Sequence, residues 1–239
     1  MNAICLITFQ PRQFWCDLLN TFENYKVFII VDDNNFNLTE FQNKYNNILF
    51  IKIDNLKCSQ AGFININFMI KKTITGWEKS LYYFTYENIS YEHVWLLEDD
   101  VFFYNENTLI NIDKKNLSSD LLSNKIEENS KSDAKNWHWP RIKINFPPPY
   151  YQGMMCAVRF SKNMFQSIKD YATKYKTLFF IEAFFPTIAK KYNLICNCPN
   201  EFDEVLYNRV LTIDKINKTS LFHPVKNPDS HIGYRNHLR

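Results

Sequence analysis

Three consecutive carboxylates, Glu98-Asp99-Asp100, interrupt a run that is otherwise apolar and aromatic, with Val94-Trp95-Leu96-Leu97 before them and Val101-Phe102-Phe103 after. An apolar run of this length without helical spacing reads as a buried strand of a parallel sheet. Carboxylates are rarely buried unless paired or bound to a metal. An acidic triplet capping such a strand therefore asks for a cation, and hard oxygen ligands suit Mg²⁺ or Mn²⁺, ions that commonly bridge to phosphates. The bland alternative is a solvated acidic turn, but the immediate return to Val101-Phe102-Phe103-Tyr104 leaves little loop to solvate. Side chains alternate along a strand, so Glu98 and Asp100 share a face unless the turn redirects one of them. Asp100 is the expected metal ligand, and Asp99 or Glu98 the expected contact to a ribose or sugar.

Glu182 stands alone among apolar neighbours in Leu178-Phe179-Phe180-Ile181-Glu182-Ala183-Phe184-Phe185. It reads either as an acid paired with Lys174, Lys176 or Lys190, or as a carboxylate whose pKa an apolar setting lifts into the range of a general base. His223 alone reads as a packed histidine. Beside Lys226, and with an acidic metal motif elsewhere, it becomes a candidate to complete an oxygen-rich Mn²⁺ site, with Lys226 neutralising a leaving diphosphate. The aromatics Trp137, Trp139, Tyr150 and Tyr151 either stack on a sugar or pack on the sheet. His138 reads as aromatic packing, and His93, His231 and His237 carry no specific signal.

The elements that must position these groups follow a βαβ pattern. Ala3–Phe9 is a first strand. Pro11 suits the first turn of a helix that carries Phe14, Trp15, Leu18, Leu19 and Phe22 on one face. Val27–Val31 is a second strand, ending at Asp32, and Ile48–Ile53 a third, ending near Asp54. Thr75-Gly76-Trp77-Glu78 fits a capping box, opening a helix that presents Trp77, Leu81 and Phe84 and runs to about Glu87. The strand of the acidic triplet follows. In open α/β sheets ligands bind outside the carboxyl ends of the strands, and Thr8, Asp32 and Glu98–Asp100 all lie at such ends. Residues 105–136 read as a polar surface excursion with a short helix around Leu117–Ile126. A stiff aromatic and proline loop spans 137–151, and Tyr151–Phe160 resumes a strand-like pattern. Ser161 caps a helix bearing Met164, Phe165, Ile168 and Tyr171. Pro186 suits the first position of a last helix through about Tyr192.

The chain has 239 residues with no Gly/Ser-rich or Pro-rich divider, which favours one domain. A net charge of +3 is too small to argue for nucleic acid or an anionic membrane. The start of the chain lacks a signal-peptide pattern, and no stretch approaches the roughly 18 apolar residues of a membrane span. The six cysteines show no zinc spacing and read as reduced core thiols in a cytoplasmic protein.

The order of these features resembles the metal-dependent glycosyltransferases of the GT-A fold. The resemblance rests on the first strand and helix, Asp32, the acidic triplet, Tyr151-Gln152-Gly153, Glu182 with Phe185-Pro186-Thr187, and the late His223-Pro224-Val225-Lys226. It implies a single α/β, Rossmann-like domain with a mostly parallel central sheet flanked by helices. Residues 1–104 would form the nucleotide-binding half and 105–239 the acceptor-binding half. The family's Asp-any-Asp motif stands here as Glu98-Asp99-Asp100, with two carboxylates in the same spacing. The resemblance implies a nucleotide-sugar donor, UDP-linked, a glycan or protein hydroxyl as acceptor, and Mn²⁺ or Mg²⁺. It places Thr8 and Asp32 near the base and ribose, Lys79 facing the nucleotide, Glu182 as acceptor base with inversion, and His223 with Lys226 at metal and diphosphate. The rival readings are a nucleotidyltransferase sharing the sheet and metal motif, and a non-catalytic nucleotide-sugar-binding module. Phe9-Gln10-Pro11-Arg12 contains no glycine and disfavours the former.

Overall fold

β1 (Asn2–Thr8) and β2 (Tyr25–Val31) are buried along nearly their whole length, as unbroken apolar strands covered on both faces must be. They pair in parallel with each other, β2 with β3 (Ile48–Ile51), and β1 with β4 (His93–Glu98). Beyond β4 the sheet continues through β8 (Ala157–Ser161), β5 (Leu121–Leu122) and β9 (Cys196–Asn197), giving the order β3-β2-β1-β4-β8-β5-β9. β8 runs antiparallel to both neighbours, while β5 and β9 are parallel to each other. Six of the seven strands therefore point one way. This computed structural model describes residues 2–65, 74–86, 91–129 and 137–239.

Alternation divides the core into two layers. Ala3, Cys5, Ile7, Val94 and Leu96 face one layer, with α4 (Gly76–Tyr86), α6 (Lys162–Tyr175) and α7 (Ile181–Lys191). Ile4, Leu6, Trp95 and Leu97 face the other, with α1 (Gln13–Leu19) and α5 (Glu106–Lys115). The result is one α/β domain of the GT-A or Rossmann-like class. Short elements complete it: α2 (Thr39–Lys44), α3 (Asn55–Gln60), the ribbon β6 (Glu127–Glu128) with β7 (Tyr151–Gln152), and the parallel pair β10 (Glu204–Val205) with β11 (Phe222–His223). The chain closes with α8 (Pro228–His237).

Half of the capping box expected at α4 forms, with Thr75 N–H donating to Glu78 Oε2 at 2.8 Å, while Thr75 Oγ1 accepts from Trp77 N–H at 3.2 Å rather than from Glu78 N–H. The expected end of that helix at Glu87 lies outside the described residues. Ser161 Oγ accepts from Met164 N–H at 3.2 Å and starts α6. Other expectations need correction. Pro11 precedes α1 rather than entering it. β3 stops at Ile51, and Asp54 instead caps α3 by accepting from Leu56 N–H.

The polar stretch after 105 is not a surface excursion. α5 buries Leu109, Ile112 and Asp113, and β5 enters the central sheet. Residues 130–136 of that stretch lie outside the described residues. Its polar composition conceals a buried charge: Asp113 takes a 2.8 Å ion pair from the fully buried Arg159 and hydrogen bonds from Asn2, Tyr25 and Trp95. A buried arginine is tolerable only when so compensated. The Tyr151–Phe160 pattern resolves into two strands with a break at 153–156. Four cysteines are buried as expected, but Cys196 is partly exposed and Cys198 exposed. No helix among the described residues is long and apolar enough to cross a membrane.

Pro186 lies inside α7, not at its start. A helical proline has no N–H for the carbonyl four residues back, which here belongs to Glu182. That carbonyl accepts instead from Gly153 N–H at 3.0 Å. The proline thereby ties the end of β7 to the turn of helix that carries Glu182.

Candidate active site

The acidic triplet lies where β4 ends, beside the end of β1. Val101 N–H donates to Glu98 O at 3.1 Å, closing a tight turn. The C-terminal segment is stapled across this turn: Phe102 and Phe222 exchange backbone hydrogen bonds at 2.8 and 2.9 Å, and Val225 N–H reaches Asp100 O at 2.7 Å. This antiparallel clip is why residues more than a hundred positions apart converge. It sets His223 over Asp100, with Nε2 at 3.3 Å from Asp100 Oδ1. One ligand atom each from Glu98, Asp100 and His223 lie within 4.8 Å of one another.

His223 Nδ1 is 2.6 Å from Leu206 O, so that nitrogen carries the proton. In the neutral ring Nε2 is then a lone pair facing a carboxylate oxygen. Asp100 Oδ1 is buried without a hydrogen-bond partner, and burying such an atom is costly. Two acceptors at 3.3 Å need a cation between them, either a second ring proton or a metal. The donor set, two carboxylates and an imidazole oriented through its other nitrogen, fits a divalent ion.

The electrostatics follow from this packing. Burial pushes Asp100 upward, but the adjacent His223 ring, aided by Lys226, outweighs it and holds Asp100 below the usual carboxylate range. Burial lowers His223, yet Asp100 raises it overall. Burial raises Glu98, opposed by the hydrogen bond that Trp77 Nε1 donates to its Oε1 at 2.6 Å. Glu98 was expected at a ribose or sugar; the structure puts it with Asp100 and His223. Asp99 turns the other way, accepting from Thr8 Oγ1 at 2.6 Å with Arg12 at 3.7 Å.

Three neighbouring cavities meet here. A shallow one of about 230 Å³ at the ends of β1 and β2 is lined by Thr8, Asp32, Thr75, Gly76 and the triplet. Gly76 is required there, since a Cβ would come within 2.5 Å of Ile7. Lys79 does not line that cavity. It is 1% exposed, and its Nζ grips Asp32 through both the carboxylate at 2.7 Å and the carbonyl at 2.5 Å. The second cavity, about 420 Å³, holds Glu98, Asp100, Glu182, His223 and Lys226. The third, about 840 Å³, lies against Trp137, His138, Gln152, Phe180 and Tyr207. Glu98 and Asp100 line the first two; Glu182 lines the last two.

Glu182 has no ion pair among the described residues. Burial pushes its carboxyl up to about 7, with the nearby Glu98 charge adding and His223 opposing. Sequence reasoning missed Trp77 as a polar partner, having placed it only on an apolar face. It also missed Tyr207 and Asn208, whose loop carries no motif. On α8, Arg235 lies over Trp15 and Phe102 and donates to Phe103 O and Tyr104 O. His231 packs beside it, lowered to about 4 by burial and the Arg235 charge.

No family model and no curated protein sequence matches this chain. Among solved structures it is similar to a 4-diphosphocytidyl-2C-methyl-D-erythritol synthase from Anaerococcus prevotii. The TM-score is 0.51 at 9% identity, over 99% of this chain and 94% of that one. At such identity the likeness concerns the fold.

Proposed function

We propose that this chain is a divalent-metal-dependent glycosyltransferase that moves a sugar from a nucleotide-diphosphate donor, UDP-linked, to an acceptor hydroxyl with inversion. The observation that carries the reading is the position of Glu182. It lines both the cavity of Asp100 and His223 and the aromatic cavity beside it, with a pKa lifted to about 7. A base there has a leaving group on one side and a nucleophile on the other, and a pKa near the working pH suits proton transfer.

In this reading residues 1–104 bind the nucleotide and 105–239 the acceptor. Thr8 and Asp32 border the base and ribose, with Lys79 fixing Asp32 from behind. Asp99 reaches the ribose or sugar through the Thr8 side of the cavity. Glu98, Asp100 and His223 hold Mn²⁺ or Mg²⁺, which when bound offsets charge on the departing diphosphate. Lys226 adds a positive charge at the same end. Glu182 takes the acceptor proton, the acceptor oxygen bonds to the anomeric carbon, and the bond to the diphosphate oxygen breaks. The nucleoside diphosphate leaves with that electron pair. Attack from the side away from the diphosphate inverts the centre.

A second reading, nucleotidyl transfer, is favoured by the fold comparison, because the similar structure is named as a diphosphocytidyl-product synthase. Against it, the segment after β1, Phe9-Gln10-Pro11-Arg12, has no glycine for a triphosphate cradle, and Arg12 is turned toward Asp99. A non-catalytic nucleotide-sugar-binding module is the third. Incubation with Mn²⁺ and either UDP-sugars or nucleoside triphosphates separates all three. UDP release supports sugar transfer, pyrophosphate release supports the second reading, and binding without turnover supports the module.

A further inference from the structure

We propose that the aromatic cavity beyond Glu182 takes a saccharide, so that the hydroxyl acceptor is itself a sugar rather than a protein side chain or a lipid phosphate. The inference rests on the transferase reading for what happens to the occupant, but not for its chemical class. A sugar has a face of C–H bonds and an edge of hydroxyls. The C–H face is weakly positive and prefers the electron-rich face of an aromatic ring, while the hydroxyls need neutral donors and acceptors.

The cavity supplies both. Trp137 is half-buried and braced from two directions, with Trp139 at 4.8 Å and Phe180 at 5.6 Å between ring centroids. Trp139 in turn stacks on Tyr150. The platform is therefore built by the fold, which limits the entropy lost on binding. Tyr207, 79% exposed, adds a further ring and a hydroxyl. On the β6–β7 ribbon Gln152 lines the same space, and its side-chain oxygen is buried with no hydrogen-bond partner among the described residues. Such an oxygen calls for a donor, and a sugar hydroxyl is one.

Charge argues against a phosphate-bearing acceptor. Lys125 is the only lysine or arginine among the described lining residues, and Glu127 neutralises it at 2.7 Å. Among the described lining residues a phosphate-bearing acceptor finds no uncompensated lysine or arginine, which recognition of phosphate needs. At about 840 Å³ the cavity is in the upper part of the roughly 300–1,000 Å³ typical of small-molecule sites, which suits more than one sugar ring. With a hydroxyl of the occupant beside Glu182, its proton passes to that carboxylate as its oxygen bonds to the donor's anomeric carbon, and the bond from that carbon to the diphosphate oxygen breaks, its electron pair leaving with the nucleoside diphosphate.

The test is saturation-transfer NMR on the full chain without donor or metal. The probes are methyl glycosides of the common hexoses, N-acetylhexosamines and pentoses with their β-linked disaccharides, beside a serine/threonine peptide and geranyl phosphate. Saturable binding is expected for at least one disaccharide. Affinity should fall about tenfold or more in Trp137→Ala and be retained in Trp137→Phe. Gln152→Leu, which keeps the shape of the wall, should also weaken it. Binding of the peptide or lipid phosphate instead, binding of no probe, or saccharide binding indifferent to both Trp137→Ala and Gln152→Leu overturns the proposal. UDP-sugar turnover with Mn²⁺ is measured separately. Turnover without saccharide binding sinks this inference alone; saccharide binding without turnover sinks the transfer reading alone.

Discussion

Two carboxylates line the same cavity and are treated in opposite ways. Asp100, in the turn after β4, is surrounded by positive charge from His223 and Lys226 and held below the usual range. Glu182, in the first turn of α7, is buried with Glu98 nearby and pushed up to about 7. Chemically similar groups given divergent pKa values are the usual sign of divided roles. One stays ionised to hold a cation; the other is poised to exchange a proton. The contrast comes from chain topology. The 221–226 segment brings cations to Asp100, whereas α7 brings Glu182 in from an apolar layer with no cation attached.

The largest effect should come from removing the ionised member. Asp100→Ala takes away one ligand of three and leaves His223 unpaired. UDP-sugar turnover with Mn²⁺ should fall roughly 10³-fold or more, as expected when several kcal/mol of charge stabilisation are lost. Undiminished turnover would remove the metal reading and with it the contrast. Glu182→Gln tests the other member. Transfer should drop roughly 10²–10⁴-fold, the usual contribution of a general base, while UDP and Mn²⁺ affinities, read by calorimetry, stay close to wild type. A parallel loss of donor affinity would make Glu182 structural. The same residue predicts the pH profile. The base works ionised, so the rate should rise tenfold per pH unit below about pH 7 and level off above it. That limb should vanish from the residual activity of Glu182→Gln.

How much of this was legible in the sequence depends on the range of the interactions. β1, β2, β4, α4 and α6 announce themselves by local signals: apolar runs, a capping box, a Ser cap. The acidic triplet was legible because three carboxylates in a buried run violate a strong rule. α5 and β5 were not, because Asp113 and Arg159 satisfy each other across 46 positions and leave a polar composition behind. Lys79 looked like a ligand contact; its burial against Asp32 depends on how α4 crosses β2, which no local pattern encodes. Pro186 has two common helical uses, and only the Gly153 contact to Glu182 O shows which one applies. Glu182 was recognisable as an acid among apolar residues, but its lack of an ion pair is a property of the packed layer.

A smaller effect should come from Trp77, which touches the contrast at its hinge. Its indole N–H holds Glu98, and its ring lies 5.6 Å from Phe185 on the helix that carries Glu182. Trp77→Phe keeps the packing and deletes the hydrogen bond. Groups that orient metal ligands typically cost 10–100-fold in metal affinity when removed. The Mn²⁺ concentration for half-maximal activity should therefore rise by about that factor, with the rate at saturating Mn²⁺ little changed. An unchanged Mn²⁺ requirement would mean that Glu98 is not a ligand, reducing the cluster to Asp100 and His223.

The smallest effect is on stability, and it separates Glu182 as an active-site acid from Glu182 as an ordinary buried one. Its folded pKa of about 7 exceeds that of an unfolded glutamate. The folded state therefore holds the proton more tightly, and relative stability is lost as pH rises from the unfolded value through about 7. Glutamine carries no such penalty. Glu182→Gln should match wild type in thermal unfolding near pH 4 to 5 and become more stable above about pH 7, by about 1–3 kcal/mol after allowing for partial exposure. The gain should shrink when Mn²⁺ is present, because a bound cation offsets the Glu98 charge that helps raise Glu182. A variant less stable than wild type at every pH would mean that the carboxylate is paired and contributes to the fold, and the asymmetry with Asp100 would no longer imply a division of labour.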